Sequence, residues 1–226
     1  MSDADGNNLV QLSKLNGNSG TPRWSPDGKK IVFDLHRSGH FEIYIEDVSE
    51  RAPRKLVTNL REDVSTPSWS RDGKWIYFRS YEAVGSKIYR CAATGGDTTL
   101  LSAQPDAISP QESYDGNFLY FAARLVNAGL RMISLNHAST ESAVEGMRPV
   151  YGEGLWTVVP AGIYFVPADM PRSLCYFDFA SRKIREVFHL EKDFAVGLSV
   201  SPDGRWLLYS RLDEQNSDIM LIDQFR

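Results

Sequence analysis

The sequence predicts an all-β protein built from five similar repeats, and two observations lead to this prediction. A glycine that ends a tight turn recurs at intervals of 45, 43, 46 and 42 residues, at Gly28, Gly73, Gly116, Gly162 and Gly204. The flanking segments, such as WSPDGKKIVF and WSRDGKWIYF, place short runs of β-branched and aromatic residues around each turn. Repeats of this period made of short strands are typical of a β-propeller, in which one repeat forms one four-stranded blade. We therefore expect a five-bladed β-propeller of antiparallel four-stranded blades.

The residue types of each turn explain why the turn recurs. In residues 25–28 (SPDG) the proline ring fixes φ at a negative value, which excludes a type I′ turn. A type I turn followed by a left-handed glycine fits, and the same arrangement is expected at residues 201–204 (SPDG) and 159–162 (VPAG). The turn aspartates can accept hydrogen bonds from nearby backbone N–H groups. We interpret them as structural residues: Asp27, Asp72, Asp115 and Asp203.

Each repeat is expected to supply four strands, called a to d from the propeller axis outward. Strand a precedes the Asp-Gly turn, strand b follows it, and strands c and d complete the blade. β-Branched and aromatic residues dominate strands b and c, as expected for strands buried on both faces between neighbouring blades. The predicted blades are residues 21–58, 66–101, 109–147, 154–189 and 197–222.

The two ends of the chain predict how the ring closes. The outer strands of the first and third repeats are expected at residues 55–58 and near residues 143–147. The fifth repeat stops after its strand c, expected at residues 218–222, whereas residues 8–12 (NLVQL) resemble residues 54–58 (RKLVT) around the first of these outer strands. We expect residues 8–12 to complete the last blade, because closure removes the exposed edge of an open stack. Residues 1–226 would then form a single domain and a monomer.

Composition excludes several classes of function. Hydrophobic residues make up 42% of the chain and charged residues 24%, which suffices for a packed core. The net charge of −4 comes with no basic face, so no nucleic-acid contact is expected. No apolar stretch is long enough to cross a bilayer, and no cofactor motif is present, so neither membrane insertion nor a cofactor is expected. Cys91 and Cys175 fall in repeats that are not neighbours, and we expect two buried thiols rather than a disulfide.

Three repeats carry motifs of a known family. The stretches TPRWSPDGKKIVF, TPSWSRDGKWIYF and SVSPDGRWLLYS resemble the TolB-like, WD-like β-propeller repeats of bacterial proteins. The resemblance covers essentially the whole chain, although Glu112 stands at the Trp position of the third repeat and Ala161 at the Asp position of the fourth. The chain also resembles the C-terminal propeller of winged-helix regulators or serine/threonine kinases. This resemblance implies a sensor or interaction module in a larger bacterial regulatory protein, with an extracytoplasmic (periplasmic) location favoured over a cytoplasmic one.

Binding residues are predicted on the loop face, meaning the face that carries the b–c and d–a connections. Rigid strands present variable loops there, and aromatic and charged loop residues are the usual anchors of an interface. The predicted partner is a protein or peptide. The predicted binding residues are His36, Arg37, His40, Tyr81, Glu82, Arg124, Arg172, Asp213 and Glu214, and the inner strands add the predicted channel residues Arg23, Gln111 and Glu112.

No metal site or catalytic residue is predicted. His36 and His40 with Asp34 imitate a metal site, but a strand and its loop do not hold an i, i+4 pair on one side as a helix does. The acidic pair at residues 62–63 could bind a cation together with other loop oxygens, but a solvated loop is the favoured interpretation. No Ser-His-Asp arrangement or nucleophile elbow can be placed. The predicted function is therefore non-enzymatic binding.

Two alternatives remain open at this point. A five-bladed glycoside-hydrolase-like enzyme would need carboxylates that converge on the central cavity, and the inner strands offer only Glu112. The other alternative is a structural repeat fragment that folds but retains no activity.

Overall fold

We analysed a computed structural model, which describes residues 1, 7–56, 58–102, 104–123, 129–136, 141–147, 150, 154–201 and 203–211. Within these residues the chain forms 18 β-strands and no helix. The strands build four antiparallel sheets of four strands and one sheet of two strands. The predicted all-β class with antiparallel four-stranded sheets is confirmed. In the described ranges, no helix could cross a membrane.

The sheets follow the chain in order. The first sheet contains β1 (Asn18–Trp24), β2 (Lys30–Arg37), β3 (His40–Asp47) and β4 (Ala52–Lys55). The second contains β5 (Val64–Trp69), β6 (Trp75–Tyr81), β7 (Ser86–Ala92) and β8 (Thr98–Ser102). The third contains β9 (Ala107–Glu112), β10 (Phe118–Ala123), β11 (Leu130–Ser134) and β12 (Glu141–Ala143). The fourth contains β13 (Trp156–Val159), β14 (Gly162–Phe165), β15 (Ser173–Asp178) and β16 (Ile184–His189), and the fifth contains β17 (Phe194–Val200) and β18 (Leu207–Arg211).

Four of the Asp-Gly turns form as predicted. The Gly28 amide donates to the Ser25 carbonyl at 2.9 Å, and Gly28 is left-handed with φ of 69°. The Ser25 hydroxyl donates to Asp27 at 2.6 Å and accepts from the Lys30 amide at 2.9 Å. The same serine–aspartate bond recurs at Ser70–Asp72, Ser113–Asp115 and Ser201–Asp203. The aspartates are therefore parts of the hairpins.

The turn predicted at residues 159–162 is different. Val159 pairs directly with Gly162, so Pro160 and Ala161 form a two-residue connection and Gly162 belongs to β14. Glycine is required there for space, because a Cβ atom would lie 2.1 Å from the Phe177 carbonyl oxygen. The expectation of a left-handed glycine was wrong at this turn.

The second, third and fourth sheets each pack one face on the sheet before and the other face on the sheet after. Between the first and second sheets, Val32 and Ile43 meet Ile76 and Phe78. Tyr77, which alternates with those residues along β6, instead packs with residues of the third sheet such as Leu119 and Phe121. This alternation is the period-two pattern of a strand whose two faces are both buried.

Both cysteines are buried and neither forms a disulfide, as expected from the repeat spacing. Cys91 belongs to the core between the first and second sheets, and Cys175 to the core between the third and fourth. Burial raises the pKa of the Cys91 thiol to about 11, which keeps it protonated and unreactive at neutral pH.

The N-terminal segment does not form the predicted strand. Residues 8–12 are irregular, and the Val10 amide and the Met1 carbonyl form a 2.7 Å hydrogen bond. Leu15 packs against a cluster of first-sheet side chains, Phe33, Leu35 and Tyr44. Residue Leu15 therefore places this segment on the face of the first sheet that is turned away from the second sheet, where it removes apolar surface from water. The third strand predicted for the last blade, residues 218–222, lies outside the described residues.

Candidate binding face

Three ring side chains form a stack at the loop ends of the first and second sheets. The His36 and Phe41 ring centroids are 4.4 Å apart, with planes inclined by 24°. Phe41 stacks in turn on Tyr81 at 5.6 Å and 18°. The Arg79 guanidinium carbon lies 4.1 Å from the centroid of the Tyr81 ring. We call His36, Phe41, Tyr81 and Arg79 the aromatic stack.

Strand pairing explains how the aromatic stack forms. His36 and Phe41 are cross-strand partners in the hairpin of β2 and β3. This hairpin turns at Ser38 and Gly39, whose φ values of 52° and 84° are those of a type I′ turn. His36, Arg37 and His40, which the sequence placed in the b–c connection, therefore belong to the paired strands. Tyr81 ends β6 in the next sheet, so the stack crosses from one sheet to its neighbour. Its three rings are half-buried, and Arg79 beneath them is 4% exposed.

Polar groups form a rim beside the aromatic stack. His40 Nδ1 lies 3.0 Å from a carboxylate oxygen of Asp63. The Asp63 carbonyl accepts a 2.8 Å hydrogen bond from the Tyr81 amide, and the Ser65 hydroxyl donates to the Tyr81 hydroxyl at 3.3 Å. His36, His40 and Tyr81, three of the predicted binding residues, therefore lie in one region.

Other predicted binding residues form ion pairs within their own sheets. Arg37 lies 3.8 Å from Glu42, which also pairs with Lys55 at 2.5 Å. Both carboxylate oxygens of Glu82 are occupied, by Lys87 Nζ at 2.5 Å and by the Tyr89 hydroxyl at 2.7 Å.

The Lys87 ammonium, and to a smaller extent the Tyr89 hydroxyl, hold the pKa of Glu82 below its usual value. Burial and the Glu82 carboxylate together raise the pKa of Tyr89 to about 12. Arg37 and Glu82 thus contribute fixed charge near the rim.

Arg172 lies elsewhere, at the loop end of the fourth sheet. Its Nε donates a hydrogen bond to Asp193 at 2.7 Å. This pair borders an open pocket of about 720 Å³, whose lining residues are Asp169, Met170, Pro171, Arg172, Ser173, Glu186, His189 and Asp193. The Ser173 hydroxyl and a Glu186 oxygen approach the same ring nitrogen of His189, at 2.9 Å and 3.6 Å. A catalytic triad needs the serine and the carboxylate on different ring nitrogens, so this group is not arranged as one. Arg124, Asp213 and Glu214 lie outside the described residues.

The predicted channel residues join neighbouring sheets. The Arg23 carbonyl accepts a 3.2 Å hydrogen bond from the Trp69 indole. The Gln111 side chain bonds two backbone groups of β13, donating to the Trp156 carbonyl at 3.0 Å and accepting from the Val158 amide at 3.1 Å.

Glu112 joins the second and third sheets through its side-chain carboxylate. Its carboxylate accepts from the Arg71 amide at 2.5 Å and also bonds the Tyr77 side chain. Burial raises the pKa of this carboxyl, and the Arg71 amide partly offsets that rise. Glu112 thus connects two sheets from the repeat position at which Trp69 does so in the second repeat.

The sequence reasoning missed Phe41 and Arg79. Arg79 had a visible signal, because it is a charged residue inside the apolar run IYFRS of strand b. Phe41 had none, because its partner Tyr81 is 40 residues away in sequence and in another sheet.

The metal-like residues of the sequence have separate partners. Asp34 bonds the Thr21 hydroxyl at 2.6 Å, whereas His36 stacks on Phe41 and His40 contacts Asp63. Over the described residues, no three His, Cys, Asp or Glu side chains are grouped so that they could hold a metal ion.

Comparison with known proteins gives consistent results. Residues 1–148 match the family model of the TolB beta propeller domain. Over 51 residues the chain is 39% identical to the Tol-Pal system protein TolB of Blochmanniella floridana, a stretch that covers 23% of this chain and 11% of that protein.

Two solved structures share the fold. A TolB-like protein of Agrobacterium tumefaciens superposes with a TM-score of 0.72 at 17% identity, covering 92% of this chain and 74% of that one. TolB of Acinetobacter baumannii superposes with a TM-score of 0.69 at 19% identity, covering 91% of this chain, which spans only 52% of that protein. Because the family model matches well over half of the sequence, this chain belongs to the TolB beta propeller domain family.

Proposed function

We propose that this chain is a non-enzymatic module that binds a protein or peptide through its loop face, with the aromatic stack as the anchor. One observation carries the proposal: three half-buried rings and a guanidinium are held in register between two sheets and rimmed by His40 and Asp63. Aromatic and arginine side chains dominate the binding energy of interfaces. Rings already fixed by stacking lose little conformational entropy when a partner binds.

The family supports a role with partner proteins. The matched relative from Blochmanniella is named as a protein of the Tol-Pal system. The resemblance to propellers of winged-helix regulators or kinases supports a regulatory context within a larger bacterial protein, outside the cytoplasm. Fractionation of cells with an antibody against this segment tests the location, since recovery in the cytoplasmic fraction would contradict it.

The glycoside-hydrolase alternative has less support. Its chemistry needs two free carboxyl groups on either side of the scissile bond. Glu112, the inner-strand carboxylate, is bonded to Arg71 and Tyr77. Hydrolysis of a panel of glycosides by the wild-type chain and its loss in Glu112→Gln would revive that alternative.

We also propose that the five sheets belong to one closed five-bladed ring. The repeat register supports this, because Leu208 of β18 corresponds to the buried Tyr77 of β6 and Trp24 corresponds to the buried Trp69. Leu208 is 74% exposed and Trp24 50% exposed, so each presents an apolar surface of the kind that another sheet covers at the inner joints. Closure would bring these two surfaces together.

Selection of peptides from a random library with the whole chain tests the binding proposal. We expect Tyr81→Ala to weaken binding of the selected peptides by about tenfold or more, the loss typical of an aromatic anchor. The matched control is Tyr114→Ala, because Arg71 lies 3.9 Å from the Tyr114 ring in a similar pair at an Asp-Gly turn, on the opposite face.

The two variants separate the outcomes. The control should bind within about twofold of the wild type. Equal binding by Tyr81→Ala, or a loss confined to Tyr114→Ala, would contradict the proposal. Failure of the library to yield any binder would favour the structural-fragment alternative.

A further inference from the structure

A buried carboxylate connects the inner strands of the first and second sheets. Asp34 is 5% exposed, and one of its oxygens accepts two hydrogen bonds. The donors are the Thr21 hydroxyl of β1 at 2.6 Å and the Thr66 amide of β5 at 2.9 Å. Hydrogen bonds to an ionised acceptor are shorter and stronger than neutral ones. Asp34 therefore acts as a clamp between two sheets.

The Asp34 carboxylate contacts two positions of unusual backbone conformation. Thr21 and Thr66 have φ values of 44° and 48°, in the left-handed region that β-branched residues rarely adopt. Both lie at irregularities of the inner strands, where the pairing shifts between Gly20 and Arg23 in β1 and between Ser65 and Ser68 in β5. Such strain persists only where surrounding contacts fix the backbone, and the carboxylate supplies one such contact at each position.

Both sides of the clamp lead to the aromatic stack. On β2, Asp34 precedes His36 by two residues. On the other side, Thr66 follows directly after Ser65, whose hydroxyl contacts the Tyr81 hydroxyl. Asp63, at the start of the same segment, accepts from the Tyr81 amide. The carboxylate is thus connected by short rigid segments to the first-sheet and second-sheet parts of the stack.

The clamp is particular to this joint. Asp34 is the fifth residue of β2, and the fifth residues of β6 and β10 are Arg79 and Ala122. The joint that the aromatic stack crosses therefore carries a carboxylate that these neighbouring strands lack at the equivalent position.

We propose that Asp34 is a positioning residue that keeps Phe41 and Tyr81 stacked across the two sheets, and so prepares the loop face for its peptide. This inference rests on the proposed binding function and adds a residue that does not itself touch the partner. Removal of the carboxylate frees the two inner strands to shift relative to each other. The contact between rings of different sheets should then be lost before the contact within one sheet.

NMR contacts between ring protons test this directly. Asp34→Ala should lose the contact between Phe41 and Tyr81 while it keeps the contact between His36 and Phe41, which belongs to a single hairpin. Asp34→Asn is the conservative control, because its amide oxygen can still accept both hydrogen bonds, and it should keep both contacts. Binding of a selected peptide should weaken by about tenfold in Asp34→Ala and by less than about twofold in Asp34→Asn.

A milder variant covers the case in which Asp34→Ala does not fold. Thr21→Val removes one donor without changing the shape of the side chain, and it should weaken the contact between Phe41 and Tyr81. Retention of that contact at wild-type strength in Asp34→Ala, or in Thr21→Val if the alanine variant is unfolded, would overturn the inference.

A different result would contradict the binding proposal while leaving the positioning role of Asp34 intact. In that case Asp34→Ala loses the contact between the rings, while Tyr81→Ala still binds the selected peptides as the wild type does.

Discussion

Acidic residues at the turns and acidic residues that are buried have pKa values shifted in opposite directions. At the turns, the hydroxyl of Ser25 and the Lys29 amide lower the pKa of Asp27, so this exposed carboxylate stays ionised and organises the hairpin. At the joints between sheets, burial raises the pKa of Glu112. Burial also raises the pKa of Glu46, which lies under the N-terminal segment and receives a hydrogen bond from Ser13. The sign of each shift predicts how stability changes with pH.

Glu46→Gln should gain stability relative to the wild type as the pH rises from about 4 to about 7. A group whose pKa is raised on folding stabilises the protein below its unfolded pKa, and this contribution is lost as the pH rises through the folded value. Glutamine has no such loss. Urea unfolding at the two pH values measures the difference.

Glu42→Gln is the control with the opposite sign, because Lys55 lowers the pKa of Glu42. This variant should lose stability relative to the wild type over the same range. A difference that does not change with pH in either variant would show that these shifts do not contribute to stability.

At the level of strands and sheets, the sequence predicted the middle of each sheet better than its edges. In the first four sheets, the strands on either side of the b–c connection lie where the β-branched and aromatic runs predict them, because both of their faces are buried and these runs are continuous. The outer strand β4 lies at Ala52–Lys55 instead of at residues 55–58, and β12 lies at Glu141–Ala143, ahead of the segment expected near residues 143–147. Both outer strands are half exposed and carry a weak pattern.

The candidate site was only partly predictable from the sequence, because it depends on contacts between two sheets. Loop residues such as His36 and Tyr81 were identified by type and by their position between strands. Their contact through Phe41 depends on how two sheets pack, and no pattern within one repeat encodes that packing.

Gln111→Leu should destabilise the joint between the third and fourth sheets. The change leaves the Trp156 carbonyl and the Val158 amide without their side-chain partner, which costs about 2 kcal/mol of unfolding free energy. Gln11→Leu is the control, because Gln11 is exposed and donates to the nearby Ser13 carbonyl. Urea unfolding should show a change within about 0.5 kcal/mol for the control, and equal effects in both variants would contradict the role of Gln111.

For the whole molecule, the untested proposal is closure of the ring. If the ring closes in solution, Leu208 becomes buried, and Leu208→Asp should destabilise the chain by about 2 kcal/mol or more. Val84→Asp is the matched control, since Val84 lies in a loop and is 78% exposed, close to the 74% of Leu208. Thermal unfolding should show little change for the control.

Two results would indicate that the ring is open. Equal, small effects of Leu208→Asp and Val84→Asp would contradict closure. A closed ring also predicts a monomer, so a molar mass by light scattering that rises with concentration would indicate that a second molecule covers the open faces.

Binding through the aromatic stack is the central claim, and hydrogen exchange of the whole chain with and without a selected peptide tests it most directly. We predict slower exchange on binding in residues 36–41, 63–66 and 79–82, the segments that form and support the stack. Protection confined to the Asp-Gly turns around Arg71 and Tyr114, with unchanged exchange in those three segments, would contradict the claim.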